Sequence, residues 1–140
     1  MKKDEMIELL NKDLRNEWKH LRFYLHHASL VTGLHATEYK EMLLEEAGGE
    51  MKHVTEFSDL IVGLGGVPTN ESNSFEVFTE PREIIEYALK MEQEVVENYT
   101  IRMDQAVEMG GVDGRWIEIF LEGQIQKSRE DVDQYRQILK

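Results

Sequence analysis

The sequence predicts an all-α fold, a bundle of four helices with a long crossover between the second and the third, and two observations carry that expectation. Apolar residues recur at steps of three and four along four segments of about 28 residues each, the spacing that lines one face of a helix. Helix breakers fall between those segments. The two prolines are Pro68 and Pro81, and glycines cluster from Gly63 to Gly66 and from Gly110 to Gly114. Residues 1–140 are expected to form a single domain, a length at which one chain can bury a sizeable core.

The first segment places Leu10, Leu14, Glu17, Leu21, Tyr24 and Ala28 on one face, with Glu17 interrupting an otherwise apolar stripe. A break near Thr32-Gly33 ends it. The second segment runs through Tyr39, Leu43, Glu46, Glu50, His53, Phe57 and Leu60, so three ionisable residues share its buried face. The third opens at Glu80-Pro81, where proline suits the first helical turn, and continues through Ile85, Ala88, Glu92, Val95 and Tyr99. The fourth is expected to follow a Gly110-Gly-Val-Asp-Gly114 turn and to run through Ile117, Leu121, Gln124, Ser128, Val132 and Tyr135. Between the second and third segments, Leu64 to Glu80 shows no helical pattern and is long for a bundle loop. A helix of this length spans about 42 Å at 1.5 Å per residue, and such a connection can extend about 50 Å. It can therefore run the length of the bundle and make the second and third helices parallel, two hairpins joined by a crossover.

Composition excludes several classes of function. With 28 acidic and 16 basic residues the net charge is -12, which repels nucleic acid and attracts cations. The absence of cysteine removes disulfides and thiolate metal centres, so any metal must be held by oxygen and imidazole. No stretch approaches the roughly 20 apolar residues that span a bilayer, and the first residues lack an apolar signal region. No membrane association and a cytoplasmic location are expected.

The acids within the stripes carry the functional reading. A carboxylate removed from water without a partner costs several kcal/mol or more. Glu17, Glu46, Glu50 and Glu92 all lie on expected core faces, and no Lys or Arg shares those stripes. Multivalent cations are the natural compensation. Glu50-Met-Lys-His53 has the Glu-x-x-His spacing that sets a carboxylate and an imidazole on one helix face within reach of one ion. Oxygen donors with an imidazole suit iron or manganese. In the third segment Glu92 and Glu94 lie about 200° apart around the helix axis. Glu92 shares the face of Ala88 and Val95, which leaves Glu94 and Glu97 as surface or inner-cavity acids.

Five pieces of the sequence together resemble the ferritin superfamily. They are Asn16-Glu17 with Tyr24 seven residues on, Glu50-Met-Lys-His53, Gly65-Gly-Val-Pro68, Ala88-Leu-Lys-Met-Glu92-Gln, and Phe120-Leu-Glu-Gly-Gln124. The resemblance covers nearly the whole chain and implies a ferritin-like four-helix bundle with a di-iron ferroxidase centre. By that resemblance Glu17 and His53 bind one iron, and Glu50 bridges to a second held by Glu92. Gln124 hydrogen-bonds near the second iron, and Tyr24 stands beside the site, able to hydrogen-bond a ligand or supply an electron. Bacterioferritins place a second Glu-x-x-His on the fourth helix, where this chain has Leu121-Glu-Gly-Gln124. The non-haem ferritin pattern is therefore the nearer one. Met51 occupies the place of the haem-ligating methionine of bacterioferritins, although haem is not expected here. The chain stops at Lys140 without the fifth helix that lines the channels of the large ferritin cages, so a homo-oligomer is implied without that cage.

The expected function is iron binding, with ferrous iron oxidised by oxygen or peroxide and stored. The alternative is a di-metal redox enzyme that uses the same ligands without mineral storage.

Overall fold

The computed structural model describes residues 1–140, the whole chain. Four helices carry it: α1 (Lys3–Leu30), α2 (Ala36–Gly63), α3 (Pro81–Met109) and α4 (Gly111–Ile138). Each opens with acids in its first turn, Asp4 and Glu5, Glu38, Glu83, and Asp113. That placement opposes negative charge to the positive end of the helix dipole. The chain divides into two compact units, one of residues 10–84 and the other of residues 1–9 and 85–140.

In the first unit, most of α1, all of α2 and the crossover surround a core that includes Leu14, Phe23, Tyr24, Leu43, Phe57 and Ile61. These positions follow the stripes read from the sequence, because steps of three and four keep returning to one side of a helix. The crossover occupies residues 64–80 and has no helix or strand. It is laid along α1 by hydrogen bonds whose partners climb both segments together. The Asn11 side chain donates to Val67 O and accepts from Thr69 N. Trp18 Nε1 donates to Thr69 O, and Asn73 N to Arg15 O. At the far end Phe78 N donates to His27 Nε2, and Thr32 N to Thr79 O. The crossover therefore runs parallel to α1 and delivers the chain to the end at which α2 begins, where Pro81 opens α3. Backbone groups of a segment without secondary structure find partners in side chains of α1, which is how such a segment lies flat on a helix without orphaned donors.

In the second unit, α3 and α4 bury Ile85, Ala88, Val95, Tyr99, Ile117, Leu121 and Tyr135. Their connection is tighter than the sequence suggests. Where a five-residue turn over Gly110–Gly114 was expected, α3 ends at Met109 and α4 starts at Gly111, leaving Gly110 alone between them. Gly110 and Gly111 both have a φ of +69°, the left-handed region that side chains resist. Gly114 lies in the first turn of α4, where an added Cβ would stand 2.5 Å from Ala106 O. The glycines thus serve an abrupt reversal rather than a loose loop. Gly114→Ala is expected to lower the unfolding free energy by about 1–3 kcal/mol by overpacking, read as a lower denaturant midpoint at unchanged slope.

Candidate metal centre

The stripes that build the core also carry acids and imidazoles inward. On α1, Glu17 falls between Leu14 and Leu21 and is 1% exposed; on α2, Glu50 and His53 are 2% and 8% exposed. All three lie in the unit of residues 10–84. Their ligating atoms lie within 4.8 Å of one another, a compact group of two carboxylates and one imidazole. His53 Nδ1 donates to Glu50 Oε2 at 3.3 Å and stands 3.5 Å from Glu17 Oε2. The Glu-x-x-His spacing on α2 thus does what a separation of three residues allows, setting both groups on one side of the helix.

His20 joins this group, and the sequence reading missed it. It is 3% exposed, and its Nδ1 lies 3.8 Å from Glu50 Oε1. The signal was present, since Glu17-Trp-Lys-His20 repeats the Glu-x-x-His spacing of Glu50-Met-Lys-His53, and even its lysine. His20 does not interrupt the apolar stripe, because it sits beside the line through Glu17 and Leu21.

Burial raises the Glu17 carboxyl to about 7, and the charge of Glu50 adds to the effect while His53 opposes it. For His53 burial disfavours the charged form, but hydrogen bonds to Glu17 and Glu50 and the charge of both outweigh it and push the imidazole up to about 11. Both shifts favour the proton for different leading causes, since burial disfavours the charged Glu17 carboxyl whereas for His53 the neighbouring carboxylates overcome burial. Negative oxygens packed in a dry interior need positive charge close by.

Tyr24 is fully buried on α1, its ring edge-on to Phe23 at 5.5 Å. Glu92 on α3 and Gln124 on α4 are buried in the other unit at 0% and 5% exposure, whereas Glu94 and Glu122 are exposed, as their helix faces require. Glu46, one turn before Glu50, is buried but stands outside the group of Glu17, Glu50 and His53. Glu97 is exposed and lines a cleft with Arg129 and Arg136. Met51 is on the exposed side of α2. Arg102, which lies beside the expected stripe of α3, is buried and donates to Gln105, three residues further on.

A family model described as a ferritin-like domain matches residues 7–140. The chain belongs to the ferritin-like family. Among solved structures, a ferritin-like diiron-carboxylate protein from Bacillus anthracis str. Ames is 27% identical, with all of both chains covered and a TM-score of 0.91. Bacterioferritin from Mycobacterium tuberculosis is 24% identical over 96% of this chain and 84% of that one, with a TM-score of 0.88. A Dps protein from Bacillus brevis is 16% identical over all of both chains, with a TM-score of 0.90. The last two likenesses show the fold alone. No curated protein matches significantly. The fold is thus the ferritin-like four-helix bundle that the sequence predicts, and no helix is long and apolar enough to cross a membrane. At the level of the family, membership supports iron binding or storage, and the carboxylate and imidazole donors of Glu17, Glu50 and His53 fit iron.

The two raised pKa values have one sign in their effect on stability. Glu17 binds its proton more tightly folded than unfolded, so its contribution is present below pH 4.5 and is lost as pH rises through about 7. The contribution of His53 is present below pH 6.5 and is lost as pH rises through about 11. A metal ion must displace both protons, so its affinity moves the opposite way. The melting temperature of the metal-free ferritin-like protein should fall from about pH 5 to about pH 9, while the increase caused by a divalent cation grows over the same range. Glu17→Gln should flatten the lower half of that slope; an unchanged slope would contradict the assignment to Glu17.

Proposed function

We propose that this protein oxidises ferrous iron inside the bundle and stores the ferric product, with iron as its substrate. The observation that carries the reading is the buried group of Glu17, Glu50 and His53, whose ligand atoms are close enough to share one cation. In this reading Glu17 and His53 bind one ferrous ion and Glu50 bridges to a second, for which the resemblance nominates Glu92. Gln124 orients a ligand near that second position. Tyr24 hydrogen-bonds beside the centre or supplies an electron. Two ferrous ions lose one electron each, and dioxygen takes up both with two protons and leaves as hydrogen peroxide; with peroxide as oxidant, the two electrons and two protons yield water. The protein's own part is to hold the ions close together, to exclude bulk water and to release the Glu17 and His53 protons as iron enters.

Storage calls for an assembly with an interior, and a homo-oligomer in the cytoplasm belongs to the same proposal. Leu44, Met51 and Val62 support it, because they are exposed apolar residues seven and eleven positions apart and so form one outward stripe on α2. No haem is assigned.

Aerobic addition of ferrous salt should give rapid ferric absorbance. Glu50→Ala should slow the initial rate by well over tenfold, since loss of even an outer partner of a metal ligand costs about 10–100-fold. An unchanged rate in a folded variant would remove Glu50 from the site. Native mass then separates storage from the di-metal redox enzyme, as a hollow shell carrying many irons supports storage and a small oligomer with two metals per chain supports the enzyme.

A further inference from the structure

We infer that His20 is a metal ligand, supplying from α1 the imidazole of a second cation position that it shares with Glu50. The inference rests on the iron-binding reading above and adds to it a residue that the resemblance does not nominate.

The geometry begins with Glu50. Its two oxygens face different imidazoles, Oε2 toward His53 Nδ1 at 3.3 Å and Oε1 toward His20 Nδ1 at 3.8 Å. A carboxylate arranged in this way between two nitrogens is disposed to bridge two ions, one on each side. The longer separation is informative. At 3.8 Å the pair is beyond hydrogen-bond length. Two donors each about 2.1 Å from a common ion stand about 3.0 Å apart when at right angles and about 4.2 Å apart when opposed. The His20 to Glu50 distance lies inside that interval, as does the 3.5 Å between His53 and Glu17. Both helices thus present a carboxylate followed three residues later by an imidazole, and these four residues are at most 8% exposed.

Elimination leads to the same residue. The chain has five histidines. His26 and His35 are exposed. His27 is buried, but both of its ring nitrogens are engaged, Nδ1 donating to Phe23 O at 2.8 Å and Nε2 accepting from Phe78 N at 3.1 Å. With His53 beside Glu17 and Glu50, His20 is the other buried imidazole that faces a carboxylate of this group, and the buried polar residue at the middle of α4 is Gln124, a weaker donor. The α1 pair Glu17-Trp-Lys-His20 therefore takes the role of a second Glu-x-x-His, and divalent iron is the cation class it suits.

The test is an anaerobic titration with cobaltous chloride, following stoichiometry by calorimetry and ligand geometry by visible absorption. The wild-type protein should bind two cobalt ions per chain. His20→Gln should lose one of them, or weaken it at least tenfold, and His53→Gln the other. The spectrum left in each variant should be the complement of that left in its counterpart. His20→Glu, which restores a ligating oxygen, should keep two ions with a shifted absorption band, and it decides the matter if His20→Gln does not fold. Two ions with an unchanged spectrum in His20→Gln would overturn the inference, since His20 would then be only a charge partner of Glu50. One ion in the wild type, lost in His53→Gln alone, would overturn the second position and leave the first standing. No cobalt bound by the folded wild-type protein would overturn the iron-binding reading itself.

Discussion

Everything distinctive about this molecule depends on negative oxygen atoms held in a dry interior. Glu17 and Glu50 are almost wholly removed from water, beside one another and beside two imidazoles. Such an arrangement is tolerable only if positive charge is present, whether as protons or as a metal ion. Without a metal the protons fill that role, which is why burial and the neighbouring Glu50 lift Glu17 and why two carboxylates lift His53. In the proposed reading, the metal-free group is a proton-loaded form of a cation site. The apolar stripes around it do two jobs at once, since they build the core and lower the local dielectric that gives each charge its leverage.

How far the sequence discloses this can be judged residue by residue. The four helices were legible because breakers and stripes agreed along the chain, and the direction of the crossover because its length had no other use. The connection between α3 and α4 was misread for a physical reason. Glycine clusters normally mark loops, but here Gly110 and Gly111 take a left-handed backbone and Gly114 admits Ala106 O at close range, so three glycines serve one sharp reversal. The inward acids Glu17, Glu50 and Glu92 were legible as interruptions of apolar stripes. His20 was not, because it sits at the margin of its stripe and becomes visible only when its nitrogen is seen facing Glu50 Oε1. Arg102 was hidden similarly, its long stem allowing a position beside a stripe to become buried.

The asymmetry between the two units follows from this distribution. Residues 10–84 contain both Glu-x-x-His pairs and the crossover, so the most demanding polar chemistry and the longest irregular segment are concentrated in one half. The other half is a helical hairpin that buries Glu92, Arg102, Gln124, Ser128 and Asp131 among its apolar residues. The crossover is itself held by polar groups of α1, such as Asn11, Trp18 and His27, on positions other than those that carry Glu17 and Tyr24. Different positions let one helix carry buried carboxylate and imidazole groups and anchor the crossover without conflict.

That anchoring has a kinetic side. The bonds from Asn11 to Val67, Trp18 to Thr69, His27 to Phe78 and Thr32 to Thr79 join residues 56, 51, 51 and 47 positions apart in the chain. The α-helices can form from local contacts alone, but each of these bonds waits on the closure of a long loop, which slows its formation. A crossover that docks after the helices have paired contributes contacts that are absent at the folding barrier. Contacts absent at the folding barrier leave the rate of folding alone and govern the rate of escape. A seam of that kind along α1 acts as a fastener, setting how long the proton-loaded interior stays closed rather than how quickly it assembles.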